Sequence, residues 1–568
     1  MYDAADARWI SFNDPVIVIS AMTTGEVAPA LAQVENEIAA GRYLAGFIAY
    51  EAAPAFDIAL PVKPGDGFPL LWFASFDRGE TLSFPAGQAA RPLDWRVSID
   101  TDTYHQALQR IKEYIRQGDT YQVNYTYRMQ TQLDEDPWQL FTRMIQAQGY
   151  GYGAFIDTGQ WCICSASHEL FFQYTGGVLT SRPMKGTVRR GMYSADDTGQ
   201  ADWLRNSAKN RAENLMIVDM VRNDMGRIAD TGSVETVSLF DIEKYPTLWQ
   251  MTSTVQARTS RPVSDILGAL FPAASITGAP KKRTMEIIHE LETAPRRIYT
   301  GTTGMIKPDG SAQFNVAIRT VLVDKTTGSA EYGVGGGIVW DSDAADELQE
   351  CHTKARILTH VQPGFELLET MLWHPGDGIK LFELHMQRLA ASAAYFGWDI
   401  EPDRIRQQLM AAVPASESSP QRVRLLVNPA GDSTITVTPV TPADNTNYRV
   451  HLAATPVDSG NPFLYHKTSQ RGMYEHHLNS FLDYDDVLLF NEKGEVTETC
   501  IANVIFEVDG ESCTPPVTCG LLGGTYRQYL LEQGRLRERV ITVDEIRELT
   551  YIKLVNSVRG EWQASLLF

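Results

Sequence analysis

The chain has 568 residues, 43% hydrophobic and 21% charged, with a formal net charge of −20. That length exceeds what one core serves, so two to four domains are expected. The acidic balance offers no general attraction to nucleic acid or anionic lipid, so neither is expected as a partner.

Residues 16–19 and 44–50 have strand character, and between them residues 27–40 put apolar side chains on one helical face up to Gly41. Pro64, Gly65 and Gly67 mark a loop over 63–68. A helix is expected from Thr103 to Gly118 and a strand over 120–126. The run Glu169-Leu170-Phe171-Phe172 and a turn at Gly176-Gly177 lead into a basic stretch, Ser181-Arg182-Pro183-Met184-Lys185-Gly186-Thr187-Val188-Arg189-Arg190. A helix over 210–224 follows. The loop Ser275-Ile276-Thr277-Gly278-Ala279-Pro280-Lys281 feeds another over 284–291. A glycine-rich strand edge, 333–339, precedes a helix over 344–358, where Glu347 and Glu350 share a face. Val361-Gln362-Pro363-Gly364 breaks the pattern and places the main boundary near 360. Beyond it come a strand, a turn at Pro375-Gly376-Asp377-Gly378, a helix over 384–396 and strands over 423–427 and 434–440. No internal repeat stands out. The expected fold class is α/β and α+β multidomain, divided at 1–95, 96–360 and 361–568.

No apolar run approaches the roughly 18 residues of a membrane span. The N-terminus Met1-Tyr2-Asp3-Ala4-Ala5-Asp6 lacks the basic and apolar regions of a signal peptide. The six cysteines are scattered and show no zinc spacing. A reduced, cytoplasmic setting is expected.

In the basic stretch, Pro183 restricts φ and Gly186 lets the backbone bend close to a ligand. Lys185 lies between them, among Arg182, Arg189 and Arg190. Cationic neighbours lower a lysine pKa, and a neutral lysine is a nucleophile. By itself the stretch reads first as a basic turn binding solvent or an anion.

Together the separated motifs over residues 100–360 resemble the chorismate-utilising enzymes, and Pro183-Met184-Lys185-Gly186-Thr187 resembles the aminodeoxychorismate synthases among them; related anthranilate synthases usually have alanine at the lysine position. The resemblance implies that Lys185 attacks ring C2 while the C4 hydroxyl leaves, after which ammonia attacks C4. It makes Glu169, in Ser167-His168-Glu169-Leu170-Phe171, the general acid, since hydroxide leaves poorly without a proton. It makes Glu213 and Glu350 the Mg2+ ligands, with Asn210 and Glu347 in outer positions and Asn210 replacing a commonly acidic residue. Two carboxylates plus substrate oxygens suit magnesium. Tyr299 and Arg319 would hold the enolpyruvyl carboxylate, the amides near Gly335 and Gly336 the ring carboxylate, and Thr277 and Gln250 complete the implied substrate contacts. Gln122 sits where isochorismate-forming relatives carry a water-activating lysine, which argues for ammonia as nucleophile. Gln250 sits where much of the family has histidine; it donates a hydrogen bond but takes no proton near pH 7. No Gly-x-Cys-x-Gly nucleophile elbow occurs, so a separate glutamine amidotransferase subunit, or free ammonia, is implied.

Residues from about 362 onward resemble fold-type IV pyridoxal-phosphate enzymes, a class that holds aminodeoxychorismate lyases and branched-chain and D-amino acid transaminases, with a two-subdomain fold. Phe463-Leu464-Tyr465-His466-Lys467-Thr468-Ser469 matches the cofactor-holding segment, which makes Lys467 the lysine for pyridoxal 5'-phosphate (PLP). Glu498, in Glu498-Thr499-Cys500-Ile501-Ala502-Asn503, matches the group facing the pyridine nitrogen, with Asn503 beside it. Arg388, Thr525 and Ser557 match phosphate contacts, the second at the helix start after Gly520-Leu521-Leu522-Gly523-Gly524. Thr370 matches a threonine that assists proton transfer. The two resemblances imply a bifunctional route to 4-aminobenzoate for folate, with chorismate as substrate and a homodimer through the PLP domain expected by analogy. Two alternatives stay open: a transaminase in the second half, and an anthranilate synthase-like or non-catalytic first half.

Overall fold

The computed structural model describes residues 1–84, 93–149, 151–359, 364–413, 418–440, 448–508 and 510–568. The chain forms two compact units: Met1–Arg189 with Ala201–Gln362, and Arg190–Gln200 with Pro363–Phe568. The break at 361–363 expected from sequence lies outside the described residues.

The first unit is built on two antiparallel sheets. One runs in the order Met184–Arg189, Leu248–Arg258, Val178–Arg182, Leu170–Thr175, Ala312–Val316, Thr302–Ile306, Tyr43–Ile48, Leu71–Phe76, Ile17–Ala21. The other includes Gln122–Gln132, Ser329–Ile338, Thr320–Asp324, Trp161–Ser165 and Ala154–Asp157. The segment expected as the synthase's N-terminal subdomain supplies Ile17–Ala21, Tyr43–Ile48 and Leu71–Phe76 to the first of these sheets. Tyr43–Ile48 pairs with Thr302–Ile306, so this segment completes a sheet that starts far along the chain. Leu44 and Ile48 face a core shared with helices, whereas Phe47 packs with Ile163 and Leu322 of the other sheet. Burial on both faces explains why residues 44–50 read as one apolar run.

Three helix boundaries differ from expectation. The first helix spans Thr24–Ala39, three residues earlier than expected, because Thr23 and Glu26 form a capping box. The helix expected over 284–291 begins at Lys281, directly after Pro280. The helix expected over 344–358 tightens into a 3-10 turn at Arg356–Leu358.

The second unit has a four-stranded sheet, ordered Gly378–Ile379, Leu367–His374, Gln421–Val427, Ser433–Pro439, and an eight-stranded sheet from the rest of the unit. Each has its own core, as two subdomains require. Residues 190–200 join this unit. Arg190 pairs with Asp197 at 2.7 Å and donates to the Tyr395 carbonyl at 2.8 Å, while Tyr193 stacks on Tyr465 at 5.6 Å. No helix among the described residues is long and apolar enough to cross a membrane, and all six cysteines are free and buried.

Arg296 is the main polar tie of the first unit. Its guanidinium is 1% exposed and donates to the Glu292 carboxylate at 2.6 Å, the Ile276 carbonyl at 2.9 Å and the Asn124 carbonyl at 2.7 Å. Replacing it strands a buried carboxylate. Arg296→Met is expected to lower urea stability of this unit by about 3–5 kcal/mol, measured by its unfolding midpoint.

Candidate functional site

Lys185 sits on an edge strand that pairs Met184 with Thr252 and Thr187 with Gln250, with a register shift between them. The bulge at Lys185-Gly186 turns the lysine inward. Gly186 has φ +97°, and a Cβ there would meet Asn210 at 3.0 Å. Gln250 fixes this bulge: its Nε2 donates to the Gly186 carbonyl at 2.8 Å, and its Oε1 accepts from Thr187 at 3.0 Å.

The lysine faces a cavity of about 160 Å³ lined also by Glu169, Glu213, Gln250, Tyr299, Arg319, Gly335, Gly336 and Glu350. Residues from positions 169 to 350 are thus gathered in one place. Thr277 is not among them; its hydroxyl turns back to the carbonyls of Ala273 and Ala274. A Cβ on Gly337 would lie 2.8 Å from Lys185 Nζ and 1.9 Å from Gln122 Nε2. The glycine run is therefore a steric requirement, and it brings the Gln122 amide, which has no hydrogen-bond partner among the described residues, beside the lysine.

Electrostatics set the protonation states. Withdrawal from water lowers the Lys185 pKa, opposed by Glu213, Glu169 and Glu350. Burial pushes Glu169 up to about 7, although Ser275 donates to it at 2.5 Å. This carboxyl can therefore carry a proton near neutrality. Glu350 is held low by Lys354, whose ammonium lies 2.8 Å away, while burial raises Glu213. Among the described residues no cluster of three or more His, Cys, Asp or Glu side chains is arranged to hold a metal. Two carboxylates facing one cavity still match magnesium bound partly by substrate and water.

Sequence reasoning missed Lys354 and His168. Lys354 lines the cavity and donates to the Gly335 carbonyl at 2.9 Å, and its own carbonyl accepts from Arg319 and Tyr332. Its position four residues after Glu350 was a legible signal. His168 also lines the cavity; burial holds its pKa down at about 3, so the ring is neutral.

A second cavity, about 660 Å³, surrounds Lys467 and is lined by Thr370, Arg388, Glu498, Asn503, Thr525 and Ser557. All six of these expected residues meet there. Burial, with Arg388 and Arg471, pushes the Lys467 pKa down to about 8. Glu498 is 4% exposed and pushed up to about 7 by burial; Tyr474 donates to it at 2.8 Å and Asn503 at 3.2 Å. Arg388 donates twice to Glu369, at 2.8 and 2.6 Å, and to the Gly523 carbonyl at 3.3 Å. Of its five N–H groups, two remain for a phosphate. Glu369 also bonds His385 at 2.6 Å, an anchoring pair invisible in sequence. A Cβ on Gly524 would lie 1.9 Å from Asn503 Oδ1. A buried amine, a carboxylate opposite it and a glycine-rich helix start fit PLP in donor type and placement.

Two cavities are thus each built round a buried lysine amine whose pKa is lowered. Residues 80–360 match the chorismate binding enzyme family, and residues 366–567 match amino-transferase class IV. The chain therefore joins a chorismate binding enzyme domain to a class IV aminotransferase domain. Among curated relatives, aminodeoxychorismate synthase component 1 of Escherichia coli is 40% identical over 272 residues, covering 47% of this chain and 60% of that protein. The Bacillus subtilis protein of the same name is 39% identical over 256 residues, covering 45% and 54%. The chain thus spans about 60% of the length of the first of these relatives. Anthranilate synthase component I of Streptococcus pneumoniae shares the fold over 63% of this chain and 94% of that one, with TM-score 0.55 and 24% identity.

A general acid at Glu169 would be active while protonated, so chorismate turnover at fixed free ammonia is expected to fall as pH rises above about 7. Glu169→Gln is expected to lower that turnover by about 100- to 10,000-fold and to abolish this alkaline limb, measured by a pH–rate profile of chorismate consumption.

Proposed function

We propose that the chain makes 4-aminobenzoate from chorismate and ammonia in two steps. The observation that carries this reading is Lys185, a lysine of depressed pKa that shares a cavity with Glu169 in a chorismate binding domain. An inert turn would leave such a lysine charged in water.

In the first cavity neutral Lys185 forms a bond to C2 of chorismate. The ring double bonds shift, and the C4–O bond breaks as Glu169 delivers a proton, releasing water. Ammonia then bonds to C4, the double bonds shift back and the Lys185–C2 bond breaks. The product is 4-amino-4-deoxychorismate, and Lys185 is regenerated. Glu213 and Glu350 would hold Mg2+, which would neutralise substrate carboxylate charge. Tyr299, Arg319 and the Gly335 and Gly336 amides face the same space and supply carboxylate donors. Gln250 holds the bulge that aims Lys185. The relatives named component 1 support a separate glutaminase component as ammonia source.

In the second cavity PLP would be held by Lys467, Glu498, Asn503, Arg388, Thr525 and Ser557, and when bound it supplies an electron sink. Lys467, with Thr370 nearby, takes the proton from C4 of the amine substrate. The C3–O bond then breaks, pyruvate leaves and the ring becomes aromatic. Atoms balance without an acceptor keto acid, which separates a lyase from a transaminase. The first product would be the second substrate, which supports the lyase reading. A cytoplasmic setting and a homodimer through the second domain are part of this proposal.

Product analysis with chorismate, Mg2+, PLP and an ammonium salt tests it. Equal amounts of 4-aminobenzoate and pyruvate are expected without a keto acid. Anthranilate in their place would sink the first step. Lys185→Ala is expected to abolish both products. Lys467→Ala is expected to accumulate aminodeoxychorismate, release no pyruvate and lose the visible absorbance of the bound cofactor.

A further inference from the structure

One wall of the second cavity is a face of the four-stranded sheet. Across it Thr370 lies opposite Arg424, and Arg424 opposite Thr436. In the next row Leu372 lies opposite Arg422, and Arg422 opposite Thr438. Cross-strand partners project to the same side. The intervening Val423, Leu425 and Val427 enter the core behind, so both arginines and the threonines line the cavity with Lys467. This wall is tied to the reacting lysine, because the Leu368 amide, two residues before Thr370, donates to the Lys467 carbonyl at 2.9 Å.

Five arginines line this cavity. Arg388 is engaged by Glu369, Arg471 donates to the Cys500 carbonyl and lies over Tyr474, and Arg559 lies over Tyr448 and Trp562. Arg422 donates only to the Thr438 hydroxyl, at 3.3 Å, and among the described residues neither Arg422 nor Arg424 has a carboxylate partner. Two guanidinium forks without protein acids, beside hydroxyl donors, suit two substrate carboxylates. The cofactor phosphate has its own donors in Arg388 and the helix start at Thr525.

We propose that Arg424 and Arg422 form a carboxylate-recognition row that makes this centre select an amine bearing two carboxylates over an amino acid bearing one. The proposal rests on the two-step reading above and adds the determinant of its second substrate. Thr438 accepts from Arg422, Thr436 lies across from Arg424, and Arg424 shares its row with Thr370.

Steady-state pyruvate release from aminodeoxychorismate tests the row in the PLP-loaded full chain. Arg424→Met and Arg422→Met are each expected to raise KM by about 10- to 100-fold, with kcat changed far less. Arg424→Lys, which keeps the charge, is expected to recover part of the loss. Visible cofactor absorbance reports folding, and should Arg424→Met fail to load PLP, the rim variant Arg422→Met carries the measurement. Unchanged KM in the loaded variants overturns the proposal, as does a fall in kcat alone. If the wild type releases no pyruvate, the lyase reading fails and the row is judged on amino donors instead. A preference for glutamate or aspartate over alanine that the Met variants abolish upholds it. No such preference, or one the variants retain, overturns it.

Discussion

A lysine amine withdrawn from water is driven toward its neutral form, and both reaction centres depend on that single effect. At Lys185 desolvation competes with three nearby carboxylates, so the amine needs its neighbours placed with care. Glu350 is partly spent on Lys354, and Glu169 is raised until it holds a proton. At Lys467 two arginines reinforce desolvation. Each cavity also holds a carboxyl that burial pushes up to about 7, Glu169 in one and Glu498 in the other.

Close backbone approach is the second constraint. Gly337 leaves room for the Lys185 amine and the Gln122 amide, Gly333 lets the Tyr299 ring lie against its strand, and Gly524 admits the Asn503 amide. A side chain at any of these positions would collide with a site group. Gln250 holds the bulge that presents Lys185, a task for an amide with a donor and an acceptor. His168 places an imidazole in the same cavity, kept neutral by burial.

Much of the site was legible because chemistry-bearing residues sat inside locally distinctive strings. Pro183-Met184-Lys185-Gly186-Thr187 and Phe463-Leu464-Tyr465-His466-Lys467 drew attention to the two lysines, and the charge spacing on the helix after residue 344 drew attention to Glu350. What escaped lay in side chains whose role depends on a distant partner. Ser275 matters because it reaches Glu169, Glu369 because it anchors Arg388 and His385, and Tyr474 because it bonds Glu498. Thr277 shows the opposite case: it stands in the right loop, but its hydroxyl closes on its own turn.

The sequence by itself determined the two kinds of domain, the order of most helices and strands, and the identity of the two lysines, because periodicity, turn residues and motif strings act over short distances. Only the tertiary structure decided that Tyr43–Ile48 pairs with Thr302–Ile306, that residues 190–200 fold with the second unit, and that Arg422 and Arg424 line one cavity with Lys467. Those outcomes follow from strand register and from burial. Both are set by contacts between residues tens to hundreds of positions apart, and no local pattern records them.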